Sequence, residues 1–180
     1  MEFIDKIKTK IKEHQYIKYI NEHRENVDKA FYEMVMNPDI DWMNWNEKFC
    51  AELYDRVKTH DLSKYELEEF DGYRQYYYPI DDIEYKLCGK NNMEKAWEHH
   101  WKNNRHHWQA RQNDDNIMTK EIQLDCLENV LDWMAMGYKF GDRPYQYYEK
   151  VKNEIKLPQV QQDFIERIIY EGIDKKYIHR

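Results

Sequence analysis

Apolar residues recur along this chain at intervals of three and four, the spacing that gathers side chains on one flank of a helix. Over residues 3–36, Tyr16, Ile20, Val27, Ala30 and Met34 all fall within about 60° of His23 on a helical wheel. A break near His14 is left open, and Asn37-Pro38 stops this first helix. A second helix is predicted over 45–60, with Phe49, Leu53 and Val57 on one face. Ser63 followed by Glu66 reads as a capping box that opens a third helix, ending before Pro79. Residues 80–90, with Asp81, Asp82 and Gly89, read as loop. A fourth helix is predicted over 91–111, and a fifth over 119–136 with Gly137 as its C-cap. Asp142 and Pro144 open a sixth, and the residues after Pro158 form a last one closing near Gly172. The prediction is an all-α single domain over 1–180, a bundle of six or seven helices. Its motif-bearing core spans 14–137, and helices over 142–172 pack on that core.

Composition sharpens this picture. Charged residues make up 35% of the 180 and hydrophobic ones 41%, a balance that borders on disorder. The 16 Tyr, 6 Trp and 6 Phe argue instead for a packed interior. Only five Gly and four Pro are present, too few turns for a many-stranded sandwich or barrel. The net charge of -7 argues against general nucleic-acid binding by phosphate neutralisation. No apolar run is long enough to span a bilayer, and residues 1–6 lack the apolar stretch of a secretory signal. A cytoplasmic protein with no membrane partner is expected, its Cys50, Cys88 and Cys126 reduced.

Several polar residues interrupt apolar faces. His23 lies in the middle of its stripe, and a lone histidine there is ordinarily a core residue bonded to a carbonyl. His60 extends the Phe49–Leu53–Val57 seam and is followed at once by Asp61, which by itself reads as a loop-capping carboxylate. Together they offer the mixed nitrogen and oxygen donors suited to Mn, Fe, Co, Ni or Zn. On the fourth helix, His100 and His107 lie two turns apart on the face opposite the charged arc, provided Asn103-Asn104 does not break the helix. His99 and His106 read as surface residues. On the fifth helix Asp125, Asn129, Asp132 and Met136 share a stripe that, taken alone, reads as solvated. Glu66, Glu68 and Glu69 read likewise. Tyr73, Tyr76, Tyr77 and Tyr78 read as core or surface rather than as a platform for a nucleobase.

In chain order His23, His60-Asp61 and Asp132 are spaced by 37 and 71 residues. This H…HD…D series resembles the HD-domain superfamily of metal-dependent phosphohydrolases, and His60-Asp61-Leu62-Ser63-Lys64 resembles its HD-x-x-K variant. With His100 and His107 the pattern is similar to the two-metal members. Lys64-Tyr65, Glu69-Phe70, Trp97-Glu98-His99-His100 and Asn104-Arg105-His106-His107-Trp108 look like a small bacterial and phage HD-like family. The glycine-rich motif of the cyclic-dinucleotide branch is absent, and the His100/His107 spacing is shorter than in that branch.

The resemblance implies that His23, His60, Asp61 and Asp132 hold one divalent ion (Mn, Fe, Co, Ni, Zn or Mg). His100 and His107 would hold a second ion or touch a substrate phosphate. Such a metal lowers the pKa of bound water and offsets phosphoryl charge. Because ligating imidazoles must be neutral, affinity is expected to fall below about pH 6. Lys64 is expected to neutralise a phosphate oxygen, and Asp125 to orient a ligand or act as general base. The leading expectation is a phosphohydrolase acting on a nucleotide or other small phosphate ester. The alternatives are a catalytically silent HD-like binding protein acting by sequestration or protein interaction, and a purely structural helical module. Oligomeric state is left open.

Overall fold

The computed structural model describes residues 2–40, 42, 43 and 45–178. Among them no strand occurs, and the fold is all-α as expected. The helices are α1 (Glu2–Val35), α2 (Glu47–Thr59), α3 (Leu67–Tyr77), α4 (Asp82–Glu84), α5 (Lys90–Asn103), α6 (Trp108–Arg111), α7 (Lys120–Phe140), α8 (Pro144–Val151), α9 (Gln159–Arg167) and α10 (Lys175–Ile178). Tight 3₁₀ turns at Pro38–Ile40 and Leu62–Tyr65, and wide π-type turns at Tyr85–Gly89 and Ile168–Ile173, complete them. None of the described helices is long and apolar enough to cross a membrane. The chain divides into two compact units, Met1–Glu22 with Asp61–Asn104, and His23–His60 with Arg105–Arg180.

The first unit is built from the first part of α1 with α3, α4 and α5. Helix α1 runs unbroken through His14, because nothing between residues 2 and 35 is Gly or Pro. Its Tyr16 and Ile20 join Tyr73 and Ala96 in a small core flanked by Tyr19, Phe70 and Met93. Helices α3 and α5 meet at Gly72, where a Cβ would lie 2.4 Å from the Asn92 carbonyl oxygen and 2.7 Å from the Ala96 Cβ. Helix α3 begins later than its capping box predicts. Glu66 occupies the N-cap and Ser63 belongs to the preceding 3₁₀ turn. The Ser63 hydroxyl instead meets His100 Nδ1 at 3.2 Å and accepts from Asn104 Nδ2 at 3.0 Å. Of residues 80–90, expected as loop, 82–90 are helical, and the Asp81 side chain caps α4 by accepting from the Ile83 and Glu84 N–H groups. The buried Arg74 guanidinium donates to both oxygens of Glu84 at 2.7 and 2.9 Å.

The second unit holds the larger core. Val27, Ala30 and Met34 of α1, Phe49, Leu53 and Val57 of α2, and the apolar positions of α7 pack with Tyr148, Ile165, Ile168 and Ile169. Helices α8 and α9 thus pack on α7. Helix α2 is capped by the Asn46 side chain, which accepts from the Phe49 N–H. At its other end Arg24 donates to the His60 and Lys58 carbonyls at 3.0 and 2.6 Å. Helix α7 passes through Gly137, the expected C-cap, and closes at Gly141, whose φ of 79° satisfies the left-handed turn. Pro144 takes the first position of α8, with Arg143 rather than Asp142 as N-cap.

Candidate metal centre

Each side chain of the centre in the second unit is placed by a helix. His23 lies on the inner face of α1 and His60 caps the end of α2, anchored through its carbonyl by Arg24. Asp132 projects from α7. His23 Nε2 and His60 Nε2 are 3.4 Å apart, Asp132 Oδ1 is 3.1 Å from the former and 3.9 Å from the latter. The point equidistant from these three atoms lies about 2.0 Å from each, the usual length of a zinc–nitrogen or zinc–oxygen bond. Both imidazoles are buried, whereas the Asp132 side chain keeps 14% exposure. This cluster can hold a metal ion.

The orientation of His60 has its own cause. Its Nδ1 lies 2.9 Å from Glu128 Oε1, so a proton on Nδ1 donated to that carboxylate leaves the Nε2 lone pair facing His23 and Asp132. His106 Nδ1 approaches the same oxygen at 3.2 Å, and its ring lies over that of His60 with centroids 4.4 Å apart. Burial would raise the Glu128 pKa, but the hydrogen bonds and charges of His106 and His60 outweigh it and lower the value to about 2. Glu128 therefore stays ionised.

Three expectations change here. The Asp125–Asn129–Asp132 stripe is not solvated: Asp125 and Asn129 are each 1% exposed. Helix α2 and the turn before α6 cover that face, so its carboxylates meet Arg and His partners instead of water. His106 is buried rather than superficial. Asp125 orients no metal ligand, because its oxygens accept from Arg56 at 2.5 Å and Arg105 at 2.9 Å. Arg111, wholly buried, ties this layer together by donating to Asn129 Oδ1, Gln161 Oε1 and the His106 carbonyl.

The first unit carries a second polar cluster. Asp61, in the left-handed region at φ 57°, accepts from Lys64 Nζ at 2.6 Å and lies 3.2 Å from His100 Nε2. His100 Nδ1 lies 2.7 Å from Glu69 Oε2, and His99 Nδ1 lies 2.9 Å from Glu69 Oε1. Glu69, expected on a solvated face, is fully buried, since α3 turns it toward α5 and the two histidines satisfy it. His99 is correspondingly half-buried. Burial opposes charge on both groups, yet the bonds from His100 lower the Glu69 pKa, while Asp61 and Glu69 raise that of His100. The phenols of Tyr16 and Tyr73, beside these carboxylates, are raised well above the ordinary range, burial being the main cause.

His100 and His107 do not share a helical face. Helix α5 ends at Asn103, and Asn104, whose side chain donates to the His100 carbonyl at 2.8 Å, leaves the helical conformation. His107 belongs to the second unit, where it precedes α6. Glu128 escaped the sequence reading, in which Glu69 reads as solvated. A signal existed for Glu128, which lies one turn before Asp132 and three residues after Asp125.

The chain belongs to a family of unknown function, DUF5662, whose profile matches residues 12–171. No curated protein and no solved structure matches it.

Proposed function

We propose that this chain is a metal-dependent phosphohydrolase of the HD type, acting on a nucleotide or another small phosphate ester. The observation that supports it is the convergence of His23 Nε2, His60 Nε2 and Asp132 Oδ1 within 3.9 Å of one another in a largely buried setting. Two neutral imidazoles and a carboxylate suit Mn, Fe, Co, Ni or Zn. A divalent ion held there would lower the pKa of a bound water from about 15.7 toward 7 and offset charge on a phosphoryl group. His23 and His60 would donate nitrogen lone pairs to such an ion. A His60 proton on Nδ1, donated to Glu128, would keep Nε2 available. Asp132 supplies the negative charge on the side that solvent reaches.

The test is metal content together with phosphate release. Protein purified without chelator is expected to carry one or two divalent ions per chain and to hydrolyse members of a nucleotide and phosphate-ester panel when Mn, Co, Ni or Zn is supplied. His60→Ala and Asp132→Asn are expected to lose both metal and turnover. Absence of turnover across the panel, or turnover unchanged in both variants, overturns the proposal.

One observation favours a silent binding protein: Lys64 and Asp125, the residues expected to serve chemistry, are already engaged in ion pairs. Bound metal and nucleotide-dependent thermal stabilisation without turnover would establish that second reading.

A further inference from the structure

The first four turns of α1 carry a feature that neither the metal centre nor the core uses. None of residues 3–15 is buried, and Tyr16 is the first side chain of α1 to enter a core. Yet this stretch presents Phe3, Ile4, Ile7 and Ile11 at 74%, 58%, 45% and 51% exposure. With Ile7 as origin, all four fall within about 60° of one another's centre line, so they form one stripe. Lys6 and Lys10, with Glu13 beside them, border it on one side and Lys8 on the other, while Asp5 and Lys12 lie across the helix. Lys10 is 81% exposed and reaches Glu13 at 2.7 Å.

We propose that this face is a docking surface for an anionic lipid headgroup layer, with the helix lying in the interface rather than spanning it. Isoleucines flanked on both sides by lysines match that environment: the apolar stripe enters the acyl boundary while the long lysine stems bend up to the phosphates. The earlier expectation of no membrane partner rested on the want of a spanning segment, which an interfacial helix does not need. The charge pattern disfavours a second copy of the chain. Ile4, Ile7 and Ile11 follow an a, d, a heptad, but the next two positions of that seam are His14 and Lys18, so it ends within two turns. Lys8 and Lys10 occupy the flanking e and g positions, where an antiparallel second copy would set lysine against lysine. Lysines flank the stripe on both sides, Lys10 already paired with Glu13, and the short seam suits a surface better than a coiled coil.

Co-flotation of the full chain with vesicles tests this. Partition onto phosphatidylcholine vesicles containing half phosphatidylglycerol is expected to exceed that onto phosphatidylcholine alone by about tenfold or more, and to fall several-fold in high salt. Ile7→Asp combined with Ile11→Asp is expected to abolish it, and Lys6→Glu combined with Lys8→Glu to remove the preference for anionic lipid. All four positions are exposed, so unchanged thermal unfolding in both variants checks that the fold survives. No partition onto anionic vesicles, or equal partition by wild type and both variants, overturns the proposal. So does sedimentation showing a self-associated species that Ile7→Asp dissolves, which would assign the face to a second copy.

Discussion

Replacing Glu128 by Gln tests whether the carboxylate behind His60 tunes the metal centre. The amide keeps the size of the side chain, and its oxygen can still accept from both histidines, but as a neutral acceptor. It cannot supply an anion to His60 Nδ1 at 2.9 Å and His106 Nδ1 at 3.2 Å together. Two consequences follow, and they are measured separately. Metal affinity is expected to fall by about 10- to 100-fold, because carboxylate partners of ligating histidines contribute on that scale by raising ligand basicity and fixing the ring. That is about 1.4–2.7 kcal/mol. Stability in the presence of chelator is expected to fall by about 3 kcal/mol, since two hydrogen bonds to a buried charged group are weakened. Affinity is read by competition against a chromogenic chelator, and stability by urea unfolding in chelator. Glu128→Asp, which keeps the charge on a shorter arm, is expected to lie between wild type and Gln in affinity, and it keeps the test open if the Gln variant folds poorly. A folded Gln variant whose affinity stays within twofold of wild type refutes the reasoning.

Two further outcomes concern the first unit. Glu84→Gln is expected to cost about 3 kcal/mol at neutral pH, because among the described residues it leaves Asp71, 3.9 Å from Nε, as the one counter-charge to the buried Arg74 guanidinium. Burial alone would raise the Glu84 pKa, but Arg74 and the Ile80 N–H lower it, so its contribution is full above the ordinary carboxylate range and lost as pH falls through the folded value. The gap between wild type and variant in thermal midpoint should therefore close on acidification, and a pH-independent gap would contradict this. Gly72→Ala is expected to destabilise by about 1–3 kcal/mol, since its Cβ would lie 2.4 Å from the backbone Asn92 oxygen and α3 and α5 would have to part. Denaturant midpoints with unchanged slopes check this.

Much of the fold was legible because periodicity and breakers speak locally. Residues 3–36 contain no helix breaker before Asn37-Pro38, and α1 ends at Val35. The Phe49–Leu53–Val57 seam is buried as its spacing demands. The errors fall where a local signal met a distant competitor. Ser63 has the chemistry of a cap, but His100, 37 residues on, takes its hydroxyl. Gly137 has the chemistry of a stop, but a glycine in mid-helix costs only about 1 kcal/mol, and α7 is held by its packing on α2 and α9 until Gly141.

The site was legible to the extent that polarity interrupted an apolar seam. His23 and His60 stand out because hydrophobic neighbours at helical spacing fix which way they face. Asp132 could not stand out, since Asp125, Asn129 and Asp132 form a continuous polar stripe, and a stripe by itself does not say whether water or protein covers it. What covers it comes from elsewhere in the chain: Arg56, 69 residues before Asp125, and His60, 68 residues before Glu128. Glu69 repeats the case, flanked by Glu66 and Glu68 yet buried against His99 and His100. In both helices a carboxylate was misjudged because its histidine partners lie on another element. The sign of that error is informative: a helix whose polar stripe holds acids, in a chain with histidines left unassigned on apolar faces, is a candidate partner for them before it is a candidate surface.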